Sequence, residues 1–417
     1  MKKFLHPTDI YLPDFDKIDG TGWATIACDQ FTSEKEYWEE ARLLVGEAPS
    51  TLNLMLPEAY LDESEKRTPE INEKMSEYLS DVLICHKDSM IYLERKQSDG
   101  RIRRGIVAAI DLEEYDFEKG SQTLTRATEG TVLDRIPPRV KIRRDAPLEL
   151  PHIMVLIDDG ERTVVERIAQ RKSNYKKAYG FELMLGGGYA EGYFIDESDF
   201  DLINSALGKL ASEETAKEKY GDRAPLLYAI GDGNHSLATA KSLYGEIKAE
   251  IGERALEHPA RYALCEIVNI YDEAIDFEPI YRVMFGVEPT EFIAELEKYC
   301  EGLNGESGEQ VFECFFSDKV KTVVAKKPVA QLPVGTLQDF IDGYLKAHKE
   351  SSVDYVHGTE SSKELAKKEN TVAILFDGMS KEQLFKTVIF DGALPRKTFS
   401  MGHARDKRYY LECRKIK

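Results

Sequence analysis

Short apolar runs alternate along the chain with segments that place apolar residues at helical spacing. The runs have strand length, and Asp99-Gly100 and Asp159-Gly160 are typical hairpin turns between them. Apolar residues at every third or fourth position indicate amphipathic helices. Up to residue 271 the pattern predicts strands over 90–95, 103–112, 152–158 and 261–271, and helices from Glu34 and over 63–85, 198–211 and 213–220.

The second part of the chain has the same mixed pattern. Gly286-Val287-Glu288-Pro289 combines turn-forming residues and predicts a boundary between two domains, 1–288 and 289–417. Beyond it the pattern predicts helices from Thr290 and over 336–348, and strands over 310–316, 320–325, 371–376 and 387–390. Because hairpins intersperse the strands and helices, the predicted fold class is α+β and not a doubly wound parallel sheet.

The segment 226–244 carries the most chemical information. An apolar run of strand length ends at Ile230, and helical spacing begins at Leu237. Between them stands Gly231-Asp232-Gly233-Asn234-His235-Ser236, which is small and polar. A strand therefore passes through a tight turn into a helix N-terminus, where free N–H groups and the helix dipole suit an anion such as a phosphate.

Two interpretations of this turn remain open. Asp232 would repel a bare phosphate, so a functional turn implies a metal–phosphate complex or proton transfer. Alternatively, Asp-Gly is an ordinary turn, and Asn or Ser is an ordinary residue at a helix start. The sequence contains no P-loop signature, no His-Glu-x-x-His zinc motif and no Rossmann glycine motif.

A basic segment covers residues 134–144, with Arg135 and Arg139 flanking Pro137-Pro138. We expect the prolines to hold the segment extended. Such a cationic segment suits a small anionic ligand, and arginine favours bidentate phosphate contacts. Pairing with the chain's own carboxylates explains the basic residues equally well. The loop Gly186-Gly187-Gly188 also has two interpretations. It could cover a ligand, or its glycines could serve only to give the backbone conformational freedom.

Composition narrows the class of protein. The 417 residues are 42% hydrophobic and 31% charged, typical of a water-soluble globular protein. The net charge of −19 argues against nucleic-acid binding, and no apolar run is long enough to span a membrane. Six dispersed cysteines without a Cys-x-x-Cys pair predict free thiols, so we expect a cytoplasmic protein without a structural zinc site.

Several blocks resemble one known family. Gly231-Asp232-Gly233-Asn234-His235-Ser236-Leu237-Ala238-Thr239-Ala240 resembles the Asp-Gly-His-His-Arg-Tyr-Glu-Thr-Ala signature of domain-of-unknown-function family 1015, itself similar to the ParB/sulfiredoxin-like superfamily. The blocks at 26–33, 91–108, 183–188, 268–282 and 394–399 resemble the family as well. Asn234 and Ser236 depart from the signature's histidine and arginine, which removes a phosphate-pairing charge.

The resemblance implies a ParB/sulfiredoxin-like domain with insertions, followed by a smaller α+β segment, and a nucleotide- or phosphate-binding function. Small-molecule kinases, including kinases of free serine, occur in that superfamily, so phosphoryl transfer with Mg²⁺ and ATP or ADP is the implied activity. The alternative is a non-catalytic nucleotide or metabolite sensor. The expected ligand is a small phosphate-containing molecule, and the sequence leaves the oligomeric state open.

The predicted site combines the turn with two other segments. Asp232 is the predicted metal ligand or general base. His235 is predicted to donate a hydrogen bond to the phosphate. Asp29 is expected at the same site, because it also precedes a helix start within a family block. The residues predicted to bind phosphate are Gly231, Gly233, Asn234, Ser236, Arg135 and Arg139.

Overall fold

The structure is a computed structural model that describes residues 2–417. The strands are β1 Thr8–Pro13, β2 Thr25–Ile26, β3 Leu83–Ser89, β4 Ile91–Lys96, β5 Ile102–Asp111, β6 Tyr115–Asp116, β7 Thr125–Arg126, β8 Leu148–Glu149, β9 Met154–Ile157, β10 Lys176–Leu183, β11 Gly188–Phe194, β12 Tyr228–Asp232, β13 Tyr262–Asn269, β14 Phe277–Phe285, β15 Gln310–Phe316, β16 Lys319–Ala325, β17 Ser352–His357, β18 Thr371–Phe376, β19 Phe399–Met401, β20 Tyr409–Tyr410 and β21 Arg414–Lys415.

The α-helices are α1 Gly20–Trp23, α2 Lys35–Val45, α3 Ser64–Asp81, α4 Ile136–Arg144, α5 Val165–Ala169, α6 Phe200–Leu210, α7 Glu213–Tyr220, α8 Asn234–Ile251, α9 Pro289–Glu301, α10 Pro333–Ala347, α11 Thr359–Leu365 and α12 Lys381–Asp391. The α+β class predicted from the sequence is confirmed at this level. No helix within residues 2–417 is both long enough and apolar enough to cross a membrane. All six cysteines are free thiols.

The chain forms two units whose extents differ from the predicted domains. Unit 1 contains the residues up to Ile275 together with His403–Lys417, and unit 2 is Asp276–Gly402. Strand β14 belongs to unit 2 because it pairs with β17, β18 and β19. The C-terminal segment belongs to unit 1 because β20 pairs with β2 and β21 pairs with β8.

Unit 1 is built on a nine-stranded mixed sheet with the order β10-β11-β4-β5-β13-β9-β12-β7-β6. Successive residues of β4 enter two different cores. Leu93 packs in the core that contains Trp38 and Met75, whereas Tyr92 packs in the core that contains Leu237. Because both faces are covered, the central strands β5, β9 and β13 are largely apolar, with Arg103 and Glu266 as buried charged exceptions. This explains why runs of strand length dominate the sequence pattern of unit 1.

Unit 2 contains an antiparallel sheet with the order β16-β15-β18-β14-β17, and β19 also pairs with β14. Buried Arg282 donates hydrogen bonds to the carbonyl oxygens of Arg396 and Lys397, 2.7 and 2.8 Å away. These bonds hold the segment 394–399, one of the blocks that resembles the family. The predicted strand 371–376 matches β18.

Three local predictions are wrong. Pro137 and Pro138 lie in the first turn of α4, not in an extended segment, because first-turn N–H groups have no intrahelical partner to lose. The predicted strand 387–390 lies in α12, whose start is fixed by a capping box between Ser380 and Gln383. No hairpin follows residue 158, because the Asp159 carboxylate accepts N–H groups just before α5.

A buried ionic network holds the C-terminal segment in unit 1. Glu266 on β13 accepts hydrogen bonds from Arg103 at 3.0 Å and from Arg408 at 2.7 Å. Arg408 also donates to Glu412 at 2.6 Å, and all four side chains are almost fully buried. Breaking such a network leaves unpaired buried charges, so the segment that carries residues 407–410 has a fixed position.

Candidate functional site

The predicted glycine turn joins β12 to α8. Gly233 has φ +79°, in the left-handed region that residues other than glycine adopt at a cost. A Cβ atom at this position would lie 3.0 Å from the Cα of Ile153, so the close approach of the neighbouring segment also requires glycine. The residues 231–236 are half-buried, which leaves the turn accessible at one end of the sheet.

Helix α8 starts without a side-chain cap. Asn234 instead accepts the N–H of Thr128 at 3.1 Å and donates to the Thr128 hydroxyl at 3.2 Å. The earliest intrahelical backbone bond runs from Leu237 N–H to the Gly233 carbonyl, so preceding amides have no partner inside the helix. An 18-residue helix with an uncapped first turn favours a negatively charged group at this end.

The carboxylate of Asp232 has partners for both of its oxygens. Oδ1 accepts the N–H of Gly233 at 3.0 Å, and Oδ2 lies 3.2 Å from Nζ of Lys407. A metal ion that used Asp232 as a ligand would have to displace Lys407. Within residues 2–417, no three His, Cys, Asp or Glu side chains converge to hold a metal ion. The ion pair also removes the repulsion that Asp232 alone would exert on a phosphate.

A second carboxylate, Asp29, forms a pair with a buried histidine. Its Oδ2 lies 3.7 Å from Nε2 of His152, and its Oδ1 accepts a hydrogen bond from Gln30 at 3.0 Å. Burial opposes ionisation of Asp29, but the electrostatic attraction of His152, the bond from Gln30 and the charge of Lys407 together lower the pKa of the carboxyl. Asp29 is therefore ionised at neutral pH, and its side chain is 31% exposed.

His152 connects Asp29 to the glycine turn. Its Nε2 lies 3.3 Å from the hydroxyl of Ser236, and its Nδ1 lies 2.9 Å from the hydroxyl of Tyr410. Asp29 and Ser236 are thus neighbours of the same ring nitrogen. The structure brings the two segments together at the start of α8, as the sequence predicts.

His235 is half-buried and faces the basic segment. The N–H of Val132 points at its Nε2, 3.4 Å away, so in the neutral ring the proton is on Nδ1. Burial is the main cause that lowers the pKa of His235, and the charges of Arg139 and Arg135 lower it further. His235 is therefore neutral at pH 7 and retains one N–H to donate.

Most basic residues of the segment 134–144 have acidic partners in unit 1. Arg139 pairs with Glu58, and Arg143 pairs with Glu149. The remaining pairs join Lys141 to Glu65 and Arg144 to Glu246. Arg135 is exposed and forms no ion pair with residues 2–417, although its charge acts on His235. Internal pairing thus accounts for four of the five basic residues of the segment.

The glycine loop 186–188 has a structural explanation. A Cβ atom at Gly187 would overlap the hydroxyl of Tyr409, and one at Gly188 would overlap the carbonyl oxygen of Lys96. Close packing therefore requires these glycines, whether or not a ligand binds near them. The block 394–399 lies in unit 2, whereas the turn and Asp29 lie in unit 1.

A comparison with known protein families shows to which family the chain belongs. The family described as "Protein of unknown function (DUF1015)" matches residues 11–413. The chain belongs to this family. No curated protein matches it. Among solved structures, a conserved hypothetical protein from Pyrococcus furiosus is similar, with 12% sequence identity and a TM-score of 0.33. That similarity covers 71% of this chain and 90% of the Pyrococcus chain.

Three site residues of this DUF1015 protein escaped the sequence analysis: His152, Lys407 and Tyr410. His152 lies two residues before β9, Lys407 lies two residues before β20, and Tyr410 is the last residue of β20. None stands in a motif, because their proximity comes from the pairing of β20 with β2 and from the close approach of Ile153 to Gly233. The one available signal was the similarity of the block at 26–33, which β20 contacts.

Proposed function

We propose that this protein is an enzyme that binds a nucleotide or a phosphorylated metabolite at the N-terminus of α8 and transfers a phosphoryl group to a small hydroxyl compound, with free serine the leading candidate acceptor. One observation carries the proposal: an ionised carboxylate, Asp29, and a buried histidine, His152, lie beside the uncapped start of a long helix. Phosphoryl transfer depends mostly on positioning and charge stabilisation, and a carboxylate beside the anion site can accept the proton of the attacking hydroxyl.

The phosphate contacts in this proposal come from the protein's own groups. The first-turn amides of α8 bind the phosphate oxygens, and Nδ1–H of His235 donates a further hydrogen bond. Lys407 and Arg135 supply positive charge. Lys407 is held at the site by Asp232, which gives this aspartate a positioning role.

Asp29 is the proposed general base. Both oxygens of Asp232 are engaged by Gly233 and Lys407. Oδ2 of Asp29 lies 3.7 Å from Nε2 of His152, beyond hydrogen-bond reach, so it is free to accept a proton. The donor set at Asp232 does not fit a protein-held metal ion. Mg²⁺ therefore enters the proposal only as a companion of the nucleotide, and ATP or ADP is the proposed nucleotide.

We also propose a specific fold for part of unit 1. The strand–turn–helix at 228–251 and the resemblance of its turn to the family signature support a ParB/sulfiredoxin-like domain within unit 1. A cytoplasmic location is also part of the proposal and is supported by the six free thiols.

A sensor is the second candidate function. Ser236 stands where the signature has arginine, and losing that charge weakens contacts to a transferring phosphoryl group more than it weakens nucleotide binding. A sensor would bind the same ligands without turnover.

The test combines binding with turnover. Calorimetry with ATP, ADP and CTP, with and without Mg²⁺, measures binding, and ³¹P NMR with serine and glycerol as acceptors measures transfer. We expect Asp29→Asn to reduce turnover at least about 100-fold with binding retained, and Asp232→Asn to retain more turnover than Asp29→Asn. Exposed Asp81→Asn is the matched control. Binding without transfer would favour the sensor, and no binding of any nucleotide would refute both functions.

A further inference from the structure

The hydroxyl of Ser236 has a different kind of partner from the hydroxyls of Thr239 and Ser242, which follow it in α8. In the same helix, Thr239 donates to the carbonyl of His235 at 2.7 Å, and Ser242 donates to the carbonyl of Ala238 at 2.9 Å. Ser236 Oγ instead lies 3.3 Å from Nε2 of His152. Its hydroxyl is therefore directed at a buried imidazole and not at the backbone of its own helix.

The partners of His152 define which of its nitrogens accepts a proton. The hydroxyl of Tyr410 accepts the Cys28 N–H at 3.2 Å and forms a hydrogen bond with the Cys28 thiol. With its own proton given to the sulfur, this hydroxyl accepts Nδ1–H of His152 at 2.9 Å. In that arrangement Nε2 carries a lone pair and faces Ser236.

Burial keeps these neighbours neutral. It raises the pKa of the Tyr410 hydroxyl well above its ordinary value, and it raises the pKa of the Cys28 thiol to about 12. Neither group takes a proton from His152 or loses its own at neutral pH. Tyr410 is thus a positioning residue that presents His152 to Ser236.

We propose that Ser236 is a nucleophile that carries the phosphoryl group covalently between donor and acceptor, with His152 as its base. This inference rests on the proposed function and adds a phosphoserine intermediate to it. A nucleophile within hydrogen-bond reach of a base, which a third group orients, is the arrangement that covalent catalysis requires.

The two steps balance. In the first, Ser236 Oγ attacks the terminal phosphorus of a nucleoside triphosphate, the bond to the nucleoside diphosphate breaks, and the Oγ proton passes to Nε2 of His152. In the second, the acceptor hydroxyl attacks the phosphoserine and gives its proton to Asp29. The bond from phosphorus to Oγ breaks, and Oγ regains its proton from His152.

The local charges favour this intermediate. Asp29 Oδ2 lies 3.7 Å from Nε2 of His152 and stabilises the imidazolium that forms in the first step. A phosphoserine at the third position of α8 places about −1.5 to −2 charges at a helix N-terminus, where they are stabilised.

The test is isotope exchange with the full-length protein. A phosphoserine intermediate predicts that labelled ADP enters the ATP pool when ATP and Mg²⁺ are present and no acceptor is added. Mass spectrometry of the acid-quenched protein should find one phosphoryl group on the peptide that contains Ser236. We expect Ser236→Ala to abolish both signals and His152→Gln to slow exchange at least about 100-fold. Ser242→Ala, on the same helix, is the control and should match the wild type.

The outcomes separate this inference from the proposed function. Phosphoryl transfer to an acceptor without ADP–ATP exchange and without phosphoserine would overturn the covalent step and leave direct transfer standing. Transfer and exchange that persist in folded Ser236→Ala, verified by its melting temperature, would also overturn it. Absence of ATP binding would refute both.

Discussion

Nζ of Lys407 lies 3.2 Å from Oδ2 of Asp232, so a lysine from the C-terminal segment neutralises the carboxylate at the start of α8. Both side chains are largely shielded from solvent, at 14% and 20% exposure, so the pair is screened less than a surface ion pair. The charge of Asp232, which alone would repel a phosphate, is thus balanced by a lysine at the same place.

The first prediction concerns this ion pair. Lys407→Gln should weaken ATP binding about 10- to 100-fold, because it removes a cation and leaves Asp232 unpaired beside the phosphate. Adding Asp232→Asn should recover part of the loss, since the repelling charge is then gone. Calorimetry on the two single variants and the double variant measures the coupling. Strictly additive effects would show that the two residues do not act together on the ligand.

The second prediction concerns the ionisation of Asp29. Burial raises the Asp29 pKa, but the electrostatic attraction of His152 and the bond from Gln30 outweigh it, so the pKa lies below its ordinary value. The associated stabilisation is complete above the unfolded-state pKa and is lost as the pH falls through the folded-state pKa. His152→Gln should raise the Asp29 pKa, which a ¹³C NMR titration of its carboxyl carbon measures. His357→Gln in unit 2 should leave that titration unchanged.

The third prediction compares two glycines. Gly233→Ala should destabilise unit 1 by about 1–2 kcal/mol or more, because alanine is strained at φ +79° and its Cβ would meet Ile153. Gly245 in α8 is exposed, with open space for a Cβ, so Gly245→Ala should stabilise by about 0.5–1 kcal/mol. Urea unfolding measures both. Equal effects of the two substitutions would contradict the left-handed turn.

The fourth prediction concerns the buried ionic network. Glu266→Ala should destabilise the protein by about 3–5 kcal/mol, because Arg103 and Arg408 would remain buried without their shared carboxylate. Glu65→Ala, which removes an exposed pair with Lys141, should leave the melting temperature unchanged. Calorimetric unfolding tests both variants. A similar melting temperature for the two would mean that the network does not hold the C-terminal segment.

Local signals predict local parts of this fold well. The turn at Gly231–Gly233, the helix that follows it and strand β18 all appear where the sequence places them, because glycine chemistry and apolar periodicity act over a few residues. Proline breaks helix interiors, so the sequence predicts an extended segment at Pro137, whereas the structure places this proline in the first turn of a helix, where it is favoured.

The rest of the candidate site depends on strand pairing between distant segments. His152, Lys407 and Tyr410 reach the turn because β20 pairs with β2, and because the segment before β9 lies against Gly233. Such pairings are set by the packing of the whole sheet, which no spacing in the sequence records. The contact of His152 with Asp29 and the pairing of Lys407 with Asp232 therefore emerge only from the structure.

The return of His403–Lys417 to unit 1 has a consequence for synthesis of the chain. The ribosome releases Lys407 and Tyr410 only after all of unit 2 has been made, so unit 1 spends most of translation without the strand that completes it. A nascent or truncated chain that stops at residue 402 would lack Arg408 and leave Glu266 with one of its two partners. We therefore expect the site to form last, and prematurely terminated chains to be open to proteases.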